Sequence, residues 1–331
     1  MSRIAVVGAG AWGTALSIVL ARGSRHAVRL WAHEREVWES IENKRTNDLF
    51  LPDCAVPEAV EVTNDLPRAL ERAEIVLTAM PSHHARRLYA EMKPLLAANA
   101  MVVSATKGIE NGTYKRMTEV AADAAGTQKV AALSGPTFAK EVARGDPTAL
   151  TVASVDPNIP TSIQREFSDP MFRVYTSDDV PGVELGGSLK NVIAIAAGIV
   201  EGLGFGHNTA AALITRGLAE ITRLAVACGA RRETLSGLAG MGDLVLTCTG
   251  GLSRNRTVGV ELGRGRKLRD IMAGMHGMVA EGVLTADAAL GLATLHAVEM
   301  PITEQMHAIL HEEKSPNDAI RDLMNRPGKE E

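Results

Sequence analysis

Over the first 180 residues, short apolar runs alternate with segments whose apolar residues recur every three or four positions. "RIAVVG", "AVRLWAH", "EIVLTAM", "MVVSATK", "KVAALSG", "TALTVAS" and "FRVYTSD" read as strands, several of them apolar almost throughout. Strands of that kind are covered on both faces. Residues 12–22, 34–44, 82–96 and 115–125 read as helices between them. Such alternation specifies a mainly parallel, doubly wound α/β sheet. After Pro181 the pattern changes, and helical stretches rich in alanine, glycine and leucine run to about residue 325 without a convincing strand. The expected organisation is a doubly wound α/β domain over residues 1–180 and an all-helical domain over residues 181–331.

Composition narrows the function classes. A chain of 331 residues can build two cores, and 46% apolar with 22% charged residues is globular usage. A net charge of −4 lacks the basic face of a nucleic-acid binder. The basic run "RGRKLR" (264–269) reads as a solvated turn and helix start. The chain enters an apolar strand within three residues of its start, so no signal peptide is expected. Its longest unbroken apolar stretch falls far short of the ~20 residues of a membrane span. Cys54, Cys228 and Cys248 have no paired or metal-ligand spacing, which fits a reducing cytoplasm. His83 and His84 are adjacent, so on a helix they are expected to point apart as surface residues, and no metal site is expected.

"IAVVGAGAWGTAL" sets Gly8, Gly10 and Gly13 in G-x-G-x-x-G spacing between a strand and a helix. The first glycine permits a tight turn, the second a close approach to pyrophosphate, the third close helix–strand packing. The helix N-terminus then faces the phosphates. About 20 residues on, an acidic residue would bind the ribose of NAD. Here the second strand ends His33, Glu34, Arg35, a mixture that leaves NAD and NADP both open.

Lys107 ends the strand "MVVSATKG" and Gly135 ends "VAALSGP", the ends beyond which ligands of open α/β sheets collect. Pro136 and Thr137 then stand near a helix start, suited to capping or to an anionic substrate. In "LGGSLKNVIAIAAGIVEG" (185–202), Lys190 and Asn191 interrupt an otherwise apolar helix. Either Lys190 snorkels to water, or burial lowers its pKa until it can exchange a proton near neutral pH. Asp243 sits among glycines and apolar residues and needs a partner if buried. "SRNR" gathers Ser253, Arg254, Asn255 and Arg256, as an exposed polar turn or as a phosphate clamp.

Taken together, "GAGAWGTAL", "SGPTFAKEVARG", "GGSLKNVIAIAAGIVEGLGFGHNTAAALITRGLAEI" and "GLAGMGDLVLTCTGGLSRNR" resemble bacterial NAD(P)-dependent glycerol-3-phosphate dehydrogenase, from the first strand to about residue 325. The resemblance implies an N-terminal Rossmann domain, an all-helical C-terminal domain and a homodimer. It implies interconversion of sn-glycerol 3-phosphate and dihydroxyacetone phosphate with NAD or NADP, supplying glycerophospholipid synthesis. By the same resemblance, Lys190 exchanges the proton, Lys107 lies near both substrate and coenzyme, and Asp243 is an active-site carboxylate with Thr247 nearby. Gly135, Thr137, Ser253, Arg254 and Asn255 contact the substrate. Gly8, Gly10, Ala11, Trp12, Gly13, His33, Lys107, Ala139, Arg254, Val279 and Glu281 surround the dinucleotide. Many relatives carry a basic residue after the histidine, where this chain has Glu34. The fold alone also suits a dehydrogenase of another hydroxy acid or sugar acid, or a nucleotide sensor without catalysis. A sensor has no use for Lys190, Asp243 and "SRNR" together.

Overall fold

A computed structural model describes residues 2–275, 280–328 and 330. The seven expected strands all form: β1 (Ser2–Val7), β2 (His26–Trp31), β6 (Ile75–Thr78), β7 (Met101–Ser104), β8 (Val130–Ser134), β9 (Thr148–Ala153) and β10 (Phe172–Ser177). Three more were not expected: β3 (Thr46–Asn47), β4 (Leu51–Ala55) and β5 (Val60–Thr63). The main sheet runs β10-β9-β8-β7-β6-β1-β2-β5, and β3 pairs with β4 in a separate hairpin. All pairings in the main sheet are parallel except β8 with β9, which is antiparallel.

Seven helices accompany this sheet: α1 (Ala11–Ala21), α2 (Arg35–Lys44), α3 (Leu66–Leu70), α4 (Ala85–Met92), α5 (Met117–Ala125), α6 (Ala139–Arg144) and α7 (Asn158–Phe167). They cover both faces, and each face has its own core, one around Val6, Leu16 and Leu30, the other around Val7, Val76 and Tyr89. Burial on both sides is why the strands read as nearly unbroken apolar runs. The single helix expected over 82–96 is instead a 3₁₀ turn at 82–84, α4, and a second 3₁₀ turn at 93–95. Pro94 lacks an amide hydrogen and blocks the preceding turn, so α4 stops at Met92.

From Val180 onward the described elements are helical: α8 (Val180–Gly202), α9 (His207–Ala227), α10 (Arg232–Leu235), α11 (Asp243–Thr249), α12 (Arg254–Gly263), α13 (Leu268–Ala273), α14 (Glu281–Leu295), α15 (Pro301–His311) and α16 (Pro316–Met324). α8 is the axis of this layer. It is the one described helix long and apolar enough to cross a membrane, but its apolar window is wholly buried inside the protein. Glycines let α12 lie directly on it. A Cβ on Gly198 would collide with the carbonyl of Arg256, and one on Gly259 with that of Ile195. The basic run at 264–269 is indeed a turn leading into α13, where Arg264 and Arg266 both pair with Glu261.

Candidate active site

The glycine turn leaves β1 at Gly8, whose φ of +110° is a conformation that favours glycine. A Cβ there would lie 2.7 Å from the carbonyl oxygen of Ala79, and one on Gly13 would collide with the carbonyl of Gly8. Gly10 is different: nothing stands within 4 Å of its Cβ position, so the backbone is bare to an approaching ligand. Gly10 caps α1 without any side-chain hydrogen bond, leaving the first amides of the helix for another acceptor. The indole Nε1 of Trp12 is buried and has no partner among the described residues. A tight turn, an open second glycine, a free helix N-terminus and an orphaned donor fit a dinucleotide.

The turn is pinned by a residue that the sequence did not single out. Asn47, fully buried in β3, donates its amide to Ala9 O at 2.8 Å and Thr14 Oγ1 at 2.9 Å. An asparagine in "KRTNDLF" looks like an ordinary turn residue, so no local signal marks it. Ala11 and Ala139 are half-buried against the same core. His33 follows β2 and is exposed, with its ring 5.6 Å from that of Trp31. His83 and His84 are exposed as expected, yet they do not point apart. In the tight 3₁₀ turn their ring centroids lie 3.9 Å from each other. No group of three metal-capable side chains forms among the described residues.

In the helical layer, Lys190 comes from the middle of α8 and is only 5% exposed, which excludes snorkelling. Its ammonium donates to Asp243 Oδ1 and, at 2.7 Å, to Thr247 Oγ1. Asp243, 0% exposed, opens α11 directly after a π turn over Leu238–Gly242, in which Gly242 N donates to Gly237 O at 3.0 Å. Such turns re-aim the helix that follows and recur at functional sites. The other carboxylate oxygen, Oδ2, accepts from Lys107 Nζ at 2.8 Å. Lys107 also donates to Gly135 O at 2.9 Å and Thr137 Oγ1 at 3.2 Å. Gly135, with φ of +154°, lies 2.8 Å at its Cβ position from Leu150 Cα, so the end of β8 turns with no room for a side chain. One buried carboxylate therefore ties a lysine of the sheet layer to a lysine of the helical layer.

Burial pushes the Lys190 amine down to about 8; the charge of Asp243 opposes that shift and the charge of Lys107 assists it. An amine in this range can give or take a proton at physiological pH. Cys248, buried one turn from Asp243, has its thiol pushed up to about 12 by burial and stays protonated.

The "SRNR" run is neither simply a turn nor simply a clamp. The Ser253 hydroxyl caps α12 by accepting from Arg256 N at 3.2 Å. Arg254 is exposed at its surface, yet partial desolvation of its guanidinium lowers its pKa, and the charge of Glu281 partly restores it. Asn255 is buried, donating to Asn191 Oδ1 at 3.0 Å and accepting from Gly282 N at 2.9 Å. Arg256 pairs with Glu201 at the end of α8. Glu281 reaches back to the sheet layer, accepting from Ser82 N at 3.0 Å and Ser82 Oγ at 2.6 Å. Burial raises the pKa of Glu281 and the Ser82 bonds resist that rise. Ser82 is another residue that sequence pattern did not mark. Val279 lies outside the described residues.

A bare glycine turn on a Rossmann sheet, in one chain with a buried amine able to exchange a proton, is the equipment of a dinucleotide-dependent dehydrogenase. Residues 3–159 match the family model for the N-terminus of NAD-dependent glycerol-3-phosphate dehydrogenase, and residues 179–321 match the model for its C-terminus. The chain belongs to the NAD-dependent glycerol-3-phosphate dehydrogenase family. It is 68% identical over 99% of its length to glycerol-3-phosphate dehydrogenase [NAD(P)+] of Koribacter versatilis, covering 98% of that protein. Identity to the protein of the same name from Acidobacterium capsulatum is 57%, over the full length of both. The crystal structure of glycerol-3-phosphate dehydrogenase from Coxiella burnetii superposes with a TM-score of 0.93 at 42% identity, covering 98% of this chain and 99% of that one.

Proposed function

We propose that this protein interconverts sn-glycerol 3-phosphate and dihydroxyacetone phosphate with NAD(P)(H), and so supplies glycerol 3-phosphate for phospholipid synthesis. The observation that carries the reading is the buried Lys190–Asp243–Lys107 chain, whose Lys107 follows β7 of the sheet that also carries the bare glycine turn after β1. Gly8, Gly10, Ala11, Trp12, Gly13, His33, Ala139 and Glu281 hold the coenzyme, and hydride transfer is the chemistry the nicotinamide supplies when bound. The guanidinium of Arg254, together with Ser253 and Asn255 at the start of α12, holds the substrate phosphate. Its binding energy orients the reacting carbon. Gly135 and Thr137 bound the substrate on the sheet side, where Lys107 stabilises charge on the substrate oxygen. Lys190 takes the C2 hydroxyl proton during oxidation and returns a proton to the carbonyl oxygen during reduction. Asp243 and Thr247 aim that amine.

Residues 1–180 act as the coenzyme domain and 181–331 as the substrate domain, in a cytoplasmic homodimer. Consumption of NADH and NADPH with dihydroxyacetone phosphate, followed spectrophotometrically, tests the reaction and the coenzyme together. No oxidation of either coenzyme by a folded protein would sink the reading.

A further inference from the structure

Phe138, the residue before α6, belongs to the sheet layer, and its half-buried ring rests on Gly250, the residue after α11 in the helical layer. Gly250 has φ of −78° and ψ of 135°, a conformation open to any residue, so the backbone does not call for glycine there. Space does. A Cβ on Gly250 would collide with Cε2 and Cζ of the Phe138 ring, which lie closer to that position than any other non-neighbouring atom. Two residues before Phe138, Pro136 sits over the other end of α11, its Cγ 3.6 Å from the Cβ position of Gly242. Pro136 and Phe138 therefore bracket the helix that carries Asp243 and Thr247. Thr137, between them, accepts from Lys107 Nζ at 3.2 Å.

Phe138 also bears on the approach to the phosphate clamp. Gly250 O accepts from Ser253 N at 3.3 Å, and Ser253 is the N-cap of α12, immediately before Arg254. Between them, Gly251 has nothing within 4 Å of its Cβ position and Leu252 is 50% exposed. A turn with two consecutive glycines loses much entropy when it is ordered, so it needs a fixed point. We propose that Phe138 is a positioning residue for the phosphate clamp. Its ring, seated on Gly250, fixes the turn 250–253 and with it the separation of Ser253 and Arg254 from Thr137 and Lys107. The inference rests on the clamp assigned above. Substrate phosphate and reacting oxygen bind at the two ends of that span, so a loose turn weakens the grip on phosphate before it disturbs proton exchange.

The test compares the wild type with Phe138→Ala and Phe138→Leu. In Phe138→Ala the KM for dihydroxyacetone phosphate should rise about tenfold, with kcat within about threefold and the KM for coenzyme unchanged. Phe138→Leu keeps part of the apolar contact and should fall between the two; it serves alone if Phe138→Ala does not fold. A merely structural role would lower kcat and the melting temperature without moving KM. An unchanged KM overturns the proposal, and so does a loss that falls on kcat instead. Hydrogen exchange read by mass spectrometry is independent of turnover. Amides of residues 251–257 should exchange at least about tenfold faster in Phe138→Ala, while those of α8 keep the wild-type rate. Equal rates at 251–257 refute the pinning. A folded wild type inactive on dihydroxyacetone phosphate would sink the reaction assignment, while the exchange measurement would still decide whether Phe138 holds the turn.

Discussion

At the scale of single residues, the chemistry depends on one amine that burial has made acidic. Lys190 must be neutral to accept a proton and charged to give one, and its pKa is lowered to about 8. Reduction of dihydroxyacetone phosphate is therefore expected to fall above about pH 8, and oxidation of glycerol 3-phosphate to rise through the same range. Lys190→Ala should cost at least about a hundredfold in kcat while coenzyme affinity, read by fluorescence titration, stays near that of the wild type. Asp243→Asn removes the charge that holds the amine protonated, so its limb should move to lower pH. A limb that does not move in Asp243→Asn would remove the carboxylate from control of Lys190. Lys190 and Asp243 were legible in the sequence because a charge inside an apolar run is an anomaly that demands a partner. Asn47 and Ser82 were not legible, since short polar residues in turns are common and only tertiary contacts set these two apart.

At the scale of elements, the site is precise because helices approach more closely than side chains usually allow. Gly198 and Gly202 of α8 face Gly259 and Gly263 of α12, with backbone atoms where side chains would stand. This crossing fixes the start of α12, hence Arg254 and Asn255, relative to Lys190. Gly259→Ala should force the helices apart, lowering stability by about 1 to 3 kcal/mol in denaturant melts and raising KM for the phosphorylated substrate more than it lowers kcat. Wild-type stability in that variant would show the crossing to be loose. Glu220 serves a second helix. Buried in α9, it accepts from Ile302 N at 2.9 Å, Thr303 N at 2.8 Å and Thr303 Oγ1 at 2.7 Å, capping α15 from a distance. Glu220→Gln replaces an acceptor with a donor facing donors, at a cost of about 1 to 3 kcal/mol without loss of coenzyme binding. The long helices and apolar strands were readable from period alone. β3, β4 and β5 were missed because they are short, and Pro52 and Asp53, the latter at φ +65°, mask the pattern of β4. The antiparallel pairing of β8 with β9, joined through α6, fits the mainly parallel sheet expected, but which strand reverses is not written in local sequence.

At the scale of the whole molecule, the active site exists only where the two layers meet. Lys107 with Asp243, and Ser82 with Glu281, join them on the cleft side. On α8, six residues before Lys190, buried Glu184 accepts from Thr118 N at 2.8 Å, Thr118 Oγ1 at 2.6 Å and Arg116 Nη1 at 2.6 Å, tying α8 to the start of α5. Burial raises the Glu184 pKa, and the charge of Arg116 is the largest force opposing that rise. A buried carboxylate that satisfies three donors is costly to remove, because the donors lose their partner and stay buried. Glu184→Gln should lower the melting temperature by several degrees and split one calorimetric transition into two, since it loosens the joint without touching either core. Turnover should fall through KM as the lysines on the two layers lose their fixed separation. A single transition at the wild-type temperature would mean that apolar packing alone holds the layers in register, and that the charged bonds between them serve chemistry only.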